Sequence, residues 1–293
     1  GEYLDKRATP QCQNIIIDRS TIKKRSGTSV LGSTLSERII GVRELTIGSA
    51  TYVIRVGLTK VQLLNQGAGT WGDITGSDLT GTSTTKVDFA TPLLSATRIL
   101  VFTNLVDNIR QYTGAGDTSD LGGSPPKCKF VIEYGAYLIL AYVGAYGARV
   151  QWCDTGDIEE WSLGNAGSVD LAEDGYDITG LGLFSNYITV HKESCIYLGY
   201  PVASSEVFTF ERRTTGIGTI SATTIQNLPS GEQIFLARDG VHIFNGSSAP
   251  LVGAELSDEI KQGINPEYIA KSWSAIKKEY SEYWVALPLG SDT

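Results

Sequence analysis

Short apolar runs, separated by Gly-, Asp- and Ser-containing breaks, recur along the chain from Arg38 onward. That pattern predicts strands and tight turns rather than helices. The clearest unit is 231–246, where Ile234 to Ala237 and Val241 to Phe244 flank Asp239-Gly240. Asp-Gly suits a two-residue type I′ turn, which sets Arg238 opposite Val241, Leu236 opposite Ile243 and Phe235 opposite Phe244. One face then carries Ile234, Leu236, Val241 and Ile243; the other carries Phe235, Ala237, His242 and Phe244. Both faces are mostly apolar, so this hairpin is expected between layers and not half exposed to water.

Related pairs of runs repeat along the chain. Their first members are 52–56, 98–102, 137–141, 187–191, 233–237 and 283–287, and return members begin at Lys60, Asn108, Arg149, Cys195 and Val241. Aligning Val61, Ile109, Val150, Ile196 and Val241 gives steps of 48, 41, 46 and 45 residues. That period fits a four-stranded propeller blade and is too long for one coil of a parallel β-helix. A preceding strand is expected at 38–45, 87–93, 128–134, 176–184, 219–227 and 269–278. Several of these hold small residues (Gly41, Ala90, Gly180, Gly182, Ala222), as crowding around a central axis requires. Outer strands are expected at 70–75, 158–163, 205–213 and 250–253.

The expected architecture is therefore an all-β, six-bladed propeller of four-stranded antiparallel blades over 36–293, preceded by an arm at 1–35. Ser257 is expected to cap a short helical insertion ending near Gly263. The last blade reads as incomplete, because 283–287 has no return strand. Its open edge calls for chain beyond Thr293 or for a strand from elsewhere, with 12–25 as the local candidate.

Composition narrows the function classes. The 293 residues carry 24 Lys+Arg against 32 Asp+Glu, and this net charge of −8 argues against tight wrapping of nucleic acid. It remains compatible with a channel through which DNA slides without sticking. No apolar run is long enough for a membrane-spanning helix, and the start, Gly1-Glu2-Tyr3, lacks a leader pattern. Methionine is absent even at position 1, so these residues are expected to be part of a longer product. Cys12, Cys128, Cys153 and Cys195 form no CxxC pair and read as reduced core residues, consistent with assembly in a cytoplasm. Arg19, Lys23, Lys24 and Arg25 form the one dense basic patch. It is either a solvated hairpin edge or a docking arm that meets an acidic partner or passing DNA.

Candidate chemistry is sparse. The acidic stretches 154–160 and 170–177 lack EF-hand spacing and read as solvated turns. Asp154-Thr155-Gly156 with Trp161 is only faintly similar to a sialidase Asp-box. His191 and His242 sit in apolar strands as packing residues, and no nucleophile–base set, P-loop or cofactor motif occurs. The chain is expected not to be an enzyme and to need no cofactor or metal. Trp71, Trp152, Trp161, Trp273 and Trp284 read mainly as packing between blades.

Two regions resemble a known family. Residues 13–18, then Ile22, Arg25, Gly27 and Thr28, look like the N-terminal segment of phage tail-nozzle (tail tubular protein B-like) proteins of short-tailed phages. The order Ile178-Thr179-Gly180-Leu181, 187–192, Ser194-Cys195-Ile196-Tyr197, Gly216, 234–246 and Ile260 is similar to their propeller blades. The resemblance implies a virion structural protein forming a ring, commonly a hexamer, below the portal and adaptor. Its lumen would meet genomic DNA transiently, in a tail assembled in the host cytoplasm. Such proteins are usually much longer than this chain. The alternative is a carbohydrate- or receptor-binding propeller on a virion or bacterial surface.

Overall fold

The computed structural model describes residues 15–18, 21–24, 29–203, 206–277 and 282–291. An N-terminal hairpin, β1 (Ile15–Asp18) and β2 (Thr21–Lys24), forms a sheet of its own. Blade 1 is β3 (Ile39–Ile47), β4 (Ala50–Gly57), β5 (Val61–Asn65) and β6 (Thr70–Asp73). Blade 2 begins with β7 (Asp88–Ala90), detours through the hairpin β8 (Leu93–Leu94) and β9 (Thr97–Arg98), and continues as β10 (Leu100–Thr103), β11 (Arg110–Tyr112) and β12 (Ser119–Asp120). Blade 3 is β13 (Cys128–Tyr134), β14 (Tyr137–Val143), β15 (Tyr146–Trp152) and β16 (Gly167–Asp170). Blade 4 is β17 (Ile178–Phe184), β18 (Tyr187–Lys192), β19 (Ile196–Pro201) and β20 (Phe208–Arg212). Blade 5 is β21 (Gln226–Asn227), β22 (Gln233–Ala237), β23 (Gly240–Phe244) and β24 (Leu251–Val252). A helix, α1 (Ala254–Gly263), then leads to a two-stranded sheet, β25 (Trp273–Lys277) and β26 (Glu282–Ala286).

The chain is thus an all-β propeller with five four-stranded antiparallel blades. Alternation on the second strand of each blade explains why both faces are apolar. In β14, Leu138 and Leu140 pack with Val101 and Ile109 of blade 2, while Ile139 and Ala141 pack with Ile188 and Val190 of blade 4. Ile54, Val56 and Val61 of blade 1 meet Leu100, Phe102 and Tyr112 of blade 2 in the same manner. Each fully buried Leu, Ile or Phe contributes roughly 1.5–3 kcal/mol of transfer free energy, so stability resides between blades.

Several expectations are corrected. A six-bladed propeller with an incomplete last blade was expected; five blades have four strands, and the sixth unit has two among the described residues. After β26 the chain turns away: the Asn265 N–H donates to Pro288 O at 2.8 Å and the Gly290 N–H to Gly263 O at 2.8 Å. Residues 287–290 thereby line the segment after α1 and do not begin a return strand. Among the described residues the hairpin strands β1 and β2 pair with each other and not with β26.

The central hairpin of blade 5 keeps the expected faces with a different register. Leu236 pairs with Val241, Ile234 with Ile243 and Phe235 with His242, around a turn at Arg238-Asp239. His242 Nε2 lies 2.8 Å from Asp239 Oδ1, and Ser257 Oγ donates to Asp239 O at 2.5 Å, holding Asp239 in the turn. Gly240, with φ of 141°, opens the return strand. Ser257 therefore sits inside α1, which starts earlier than expected at Ala254, and is not its cap.

Residues 158–163 form no outer strand; β16 takes that place. Glu160 Oε1 accepts the N–H groups of Ser162 and Leu163 at 2.8 and 2.9 Å, which curls the segment into turns.

Candidate functional site

The first strand of every blade, together with β25, lines one axial cavity of about 1110 Å³. The expected small residues serve this crowding. A Cβ on Gly41 would lie 2.3 Å from Val87, and one on Gly180 would lie 2.5 Å from Ile225 on the neighbouring blade. The residues leading into or opening these inner strands are polar in several units: Arg38, Lys86, Lys129, Ser221 and Lys271. Lys86 of blade 2 reaches across to blade 5, donating to Ser221 Oγ at 3.4 Å. Burial, followed by repulsion from Lys129 and Arg38, lowers the Lys86 ammonium to about 8. The Lys129 ammonium rests 5.0 Å from the Tyr142 ring centre, and Arg38 donates to Ser83 O at 2.7 Å.

Two residues further into the wall, Asp88 joins blades 2 and 3 by accepting the Val131 N–H at 2.9 Å. Burial raises its carboxyl to about 6, against the lowering effect of the Val131 and Phe89 N–H bonds and of Arg43. On the far side, His191 Nε2 is 2.7 Å from Gln233 Oε1, and burial lowers the imidazole to about 4. Gln233 Nε2 in turn donates to Leu183 O at 3.1 Å, so this pair ties blade 5 to blade 4.

The two titrations act in opposite directions. The depressed imidazole costs stability as pH falls from its unfolded value of about 6.5 towards 4. The raised carboxyl contributes stability that is fully present below about 3.9 and is lost as pH rises to 6. Measured by urea unfolding, the stability of wild type minus that of Asp88→Asn should grow by roughly 3 kcal/mol between pH 7.5 and 4. Parallel pH profiles for the two proteins would remove Asp88 from this account.

The sequence-derived candidates are distributed differently. Lys23 and Lys24 lie on β2, paired with Ile16 and Ile15, and their side chains fall outside the described residues. Arg19, Arg25 and Cys12 also fall outside the described residues. Cys128, Cys153 and Cys195 are buried and free, and burial raises all three thiols, to about 12, 11 and 12. Both ring nitrogens of His242 are hydrogen-bonded, to Ala249 O and Asp239 Oδ1.

The acidic loops are spent on structure. Asp154 Oδ1 accepts the Thr155 and Asn165 N–H groups at 2.7 Å each. Asp170 takes both branches of Arg149 at 2.7 and 2.8 Å. Among the described residues, no three His, Cys, Asp or Glu side chains converge as a metal site. Nor is any described helix long and apolar enough to cross a membrane.

Trp152 is buried, and its Nε1 donates to Asn165 O at 2.8 Å. Trp71 stacks under Arg55 at 4.2 Å and donates to Leu31 O at 3.0 Å. Trp273 and Trp284 share one face of the β25–β26 sheet and are exposed, at 51% and 40%. The opposite face docks on blade 5, where Tyr283 OH donates to Thr224 O at 2.8 Å and Ser274 Oγ to Thr223 O at 3.2 Å.

Sequence reasoning did not single out Arg38, Lys86, Asp88 or Lys129. The available signal was their shared place at the entry to an inner strand, which becomes visible only once blades are superposed.

No family model and no curated protein matches the chain. Solved structures do. One is the extracellular domain of BT3049, described as a hybrid two component system of B. thetaiotaomicron, at 13% identity and a TM-score of 0.57, covering 92% of this chain and 35% of that one. Another is the extracellular domain of BT4673 from the same organism, at 12% identity and a TM-score of 0.56, covering 89% and 33%. The chain spans about a third of the length of these structures. At such identities the likeness concerns the propeller fold alone.

Proposed function

We propose that the chain is the propeller body of a phage-tail structural protein, a nozzle-like ring subunit below the portal and adaptor that supports genome retention and ejection. The observation that carries this reading is how the polar groups buried between blades are used. His191–Gln233, Asp88–Val131 and Thr103 Oγ1 to Cys128 O each fasten one blade to the next. Such a body resists shear because every fastening is desolvated and directional. The N-terminal resemblance around 13–28 gives that stiff body its place in a tail. Catalysis has no part in this reading.

The axial cavity adds a constraint. A Lys86–Ser221 contact across it leaves no room for a nucleic-acid duplex inside one propeller. A DNA path would therefore run between copies, which is what a homo-oligomeric ring, hexameric in this proposal, supplies. A net charge of −8 would limit adhesion of phosphates to that path.

The same proposal includes a sixth blade, of which β25–β26 is the inner half and β1–β2 the outer half. Residues 29–37 run across the face of blade 1 that looks toward the sixth unit, with Leu31 O on Trp71 and Ser33 O accepting from Arg55 at 2.9 Å. From Leu31, the seven residues back to Lys24 span at most about 25 Å, and the closure proposed is at the open edge of β26. Closure there would cover Trp273, Trp284, Ile39 and Val42, all exposed among the described residues.

Electron microscopy of the full-length protein with its portal complex tests both parts. The expected map shows a closed ring in which residues 15–24 form the outer strands of the sixth blade. A protein that stays monomeric beside the portal argues against the tail role, and outer strands from any other segment argue against the closure.

A further inference from the structure

We propose that the Lys86 end of the axial cavity is a binding site for a compact oxyanion of the phosphate class. Arg38, Lys86 and Lys271 stand at the entries to inner strands and line this end of the cavity, and Arg38 and Lys129 also lie near enough to Lys86 to repel its charge. Among the described residues no carboxylate lies within ion-pair distance of Lys86. The nearby acids are engaged elsewhere: Asp88 on the Val131 and Phe89 N–H groups, Glu133 on Arg98 at 2.8 Å, and Asp177 toward Lys129.

Opposite these cations stands a wall of hydroxyls from blade 5 and the sixth unit. Ser221 Oγ and Thr223 Oγ1 lie 3.0 Å apart and both donate to Ser272 O, at 2.9 and 2.5 Å. The Ser272 hydroxyl is itself buried and has no hydrogen-bond partner. A partly buried ammonium near other cations is destabilising unless an anion joins it. Cationic donors arriving from blade 1, blade 2 and the sixth unit suit oxygens that point in several directions, as those of a tetrahedral anion do. The 1110 Å³ cavity accommodates phosphate with its remaining water.

This inference does not depend on the tail role, since the site lies within one propeller. Thermal melting at pH 7, with inorganic phosphate replacing chloride at constant ionic strength, tests it. Wild type should show a saturable rise in Tm of roughly 5 °C once phosphate is well above its dissociation constant. Lys86→Met should melt at or above wild type without phosphate and show no phosphate-dependent rise. Arg38→Gln serves if that variant fails to fold, with the same loss expected. Calorimetric titration of wild type with inorganic phosphate gives a second readout independent of any variant. An absent saturable heat, or a Tm rise retained in Lys86→Met, overturns the site.

Discussion

Asp174→Ala is expected to lose roughly 3–5 kcal/mol of folding stability, the cost of stranding a buried charge. Its partner Lys192 is fully buried at the end of β18, with its Nζ 2.5 Å from Asp174 Oδ1 and also donating to Leu171 O. Cys195 Sγ donates to the other carboxylate oxygen at 2.7 Å, so one side chain holds the loop before β17 against β18 and the turn that follows it. Burial would raise the Asp174 carboxyl, but the Cys195 and Lys192 hydrogen bonds, the Tyr176 N–H and the Lys192 charge together lower it. A lowered carboxyl contributes stability above its unfolded value of about 3.9, and that contribution is lost as pH falls further, through the folded value. The loss on Asp174→Ala should accordingly be largest near neutrality and shrink in acid. Lys192→Met combined with Asp174→Ala should recover most of it, because an apolar pair has no charge left to strand. Urea midpoints at pH 7 and pH 3.5 decide the matter. A loss below about 1 kcal/mol for the single variant would mean that Lys192 finds another partner or water.

The second large effect is steric and involves the backbone of Lys192 and Cys195. Gly218→Ala is expected to cost about 3 kcal/mol, because a Cβ there would sit 1.8 Å from Lys192 O and 2.8 Å from Cys195 O. Both obstacles are backbone atoms of the turn between β18 and β19, closed by a Lys192 N–H to Cys195 O bond of 2.9 Å. They cannot swing aside as a side chain would. The same device recurs: a Cβ on Gly81 would meet Leu58 O at 2.1 Å, and one on Gly123 would meet Glu159 O at 1.6 Å. Connectors between blades thus run at backbone contact with a flanking blade, the preceding one at Gly81 and Gly218 and the following one at Gly123. Gly216→Ala is the control, since Gly216 has φ of 85° but open space around it. It should cost only about 1 kcal/mol, from backbone conformation alone. Equal melting temperatures for the two variants would show that the connector slides to make room.

Much of the blade was legible locally. The second strands expected at 52–56, 98–102, 137–141, 187–191, 233–237 and 283–287 coincide with β4, the β9–β10 stretch, β14, β18, β22 and β26. The positions aligned for the repeat, Val61, Val150, Ile196 and Val241, lie on the third strands β5, β15, β19 and β23, with Ile109 just before β11. Period-two alternation is a property of each strand by itself, and repetition in successive blades makes it hard to misread. The candidate site was less legible. Lys86 is one lysine among surface lysines until the fold brings Arg38 and Lys129 beside it and Ser221, 135 residues away, opposite it.

What the amino-acid pattern determined by itself is therefore the blade: its strands, its two apolar faces, and the small residues where inner strands crowd. Only the tertiary structure decided the number of complete blades, the register at Arg238-Asp239, and the cationic end of the axial cavity. The physical reason is the range of the interactions. Strand alternation is settled between residues two apart. Register follows from bonds such as Ser257 to Asp239, and the cavity from side chains that meet across the ring axis, and neither leaves a local pattern to read.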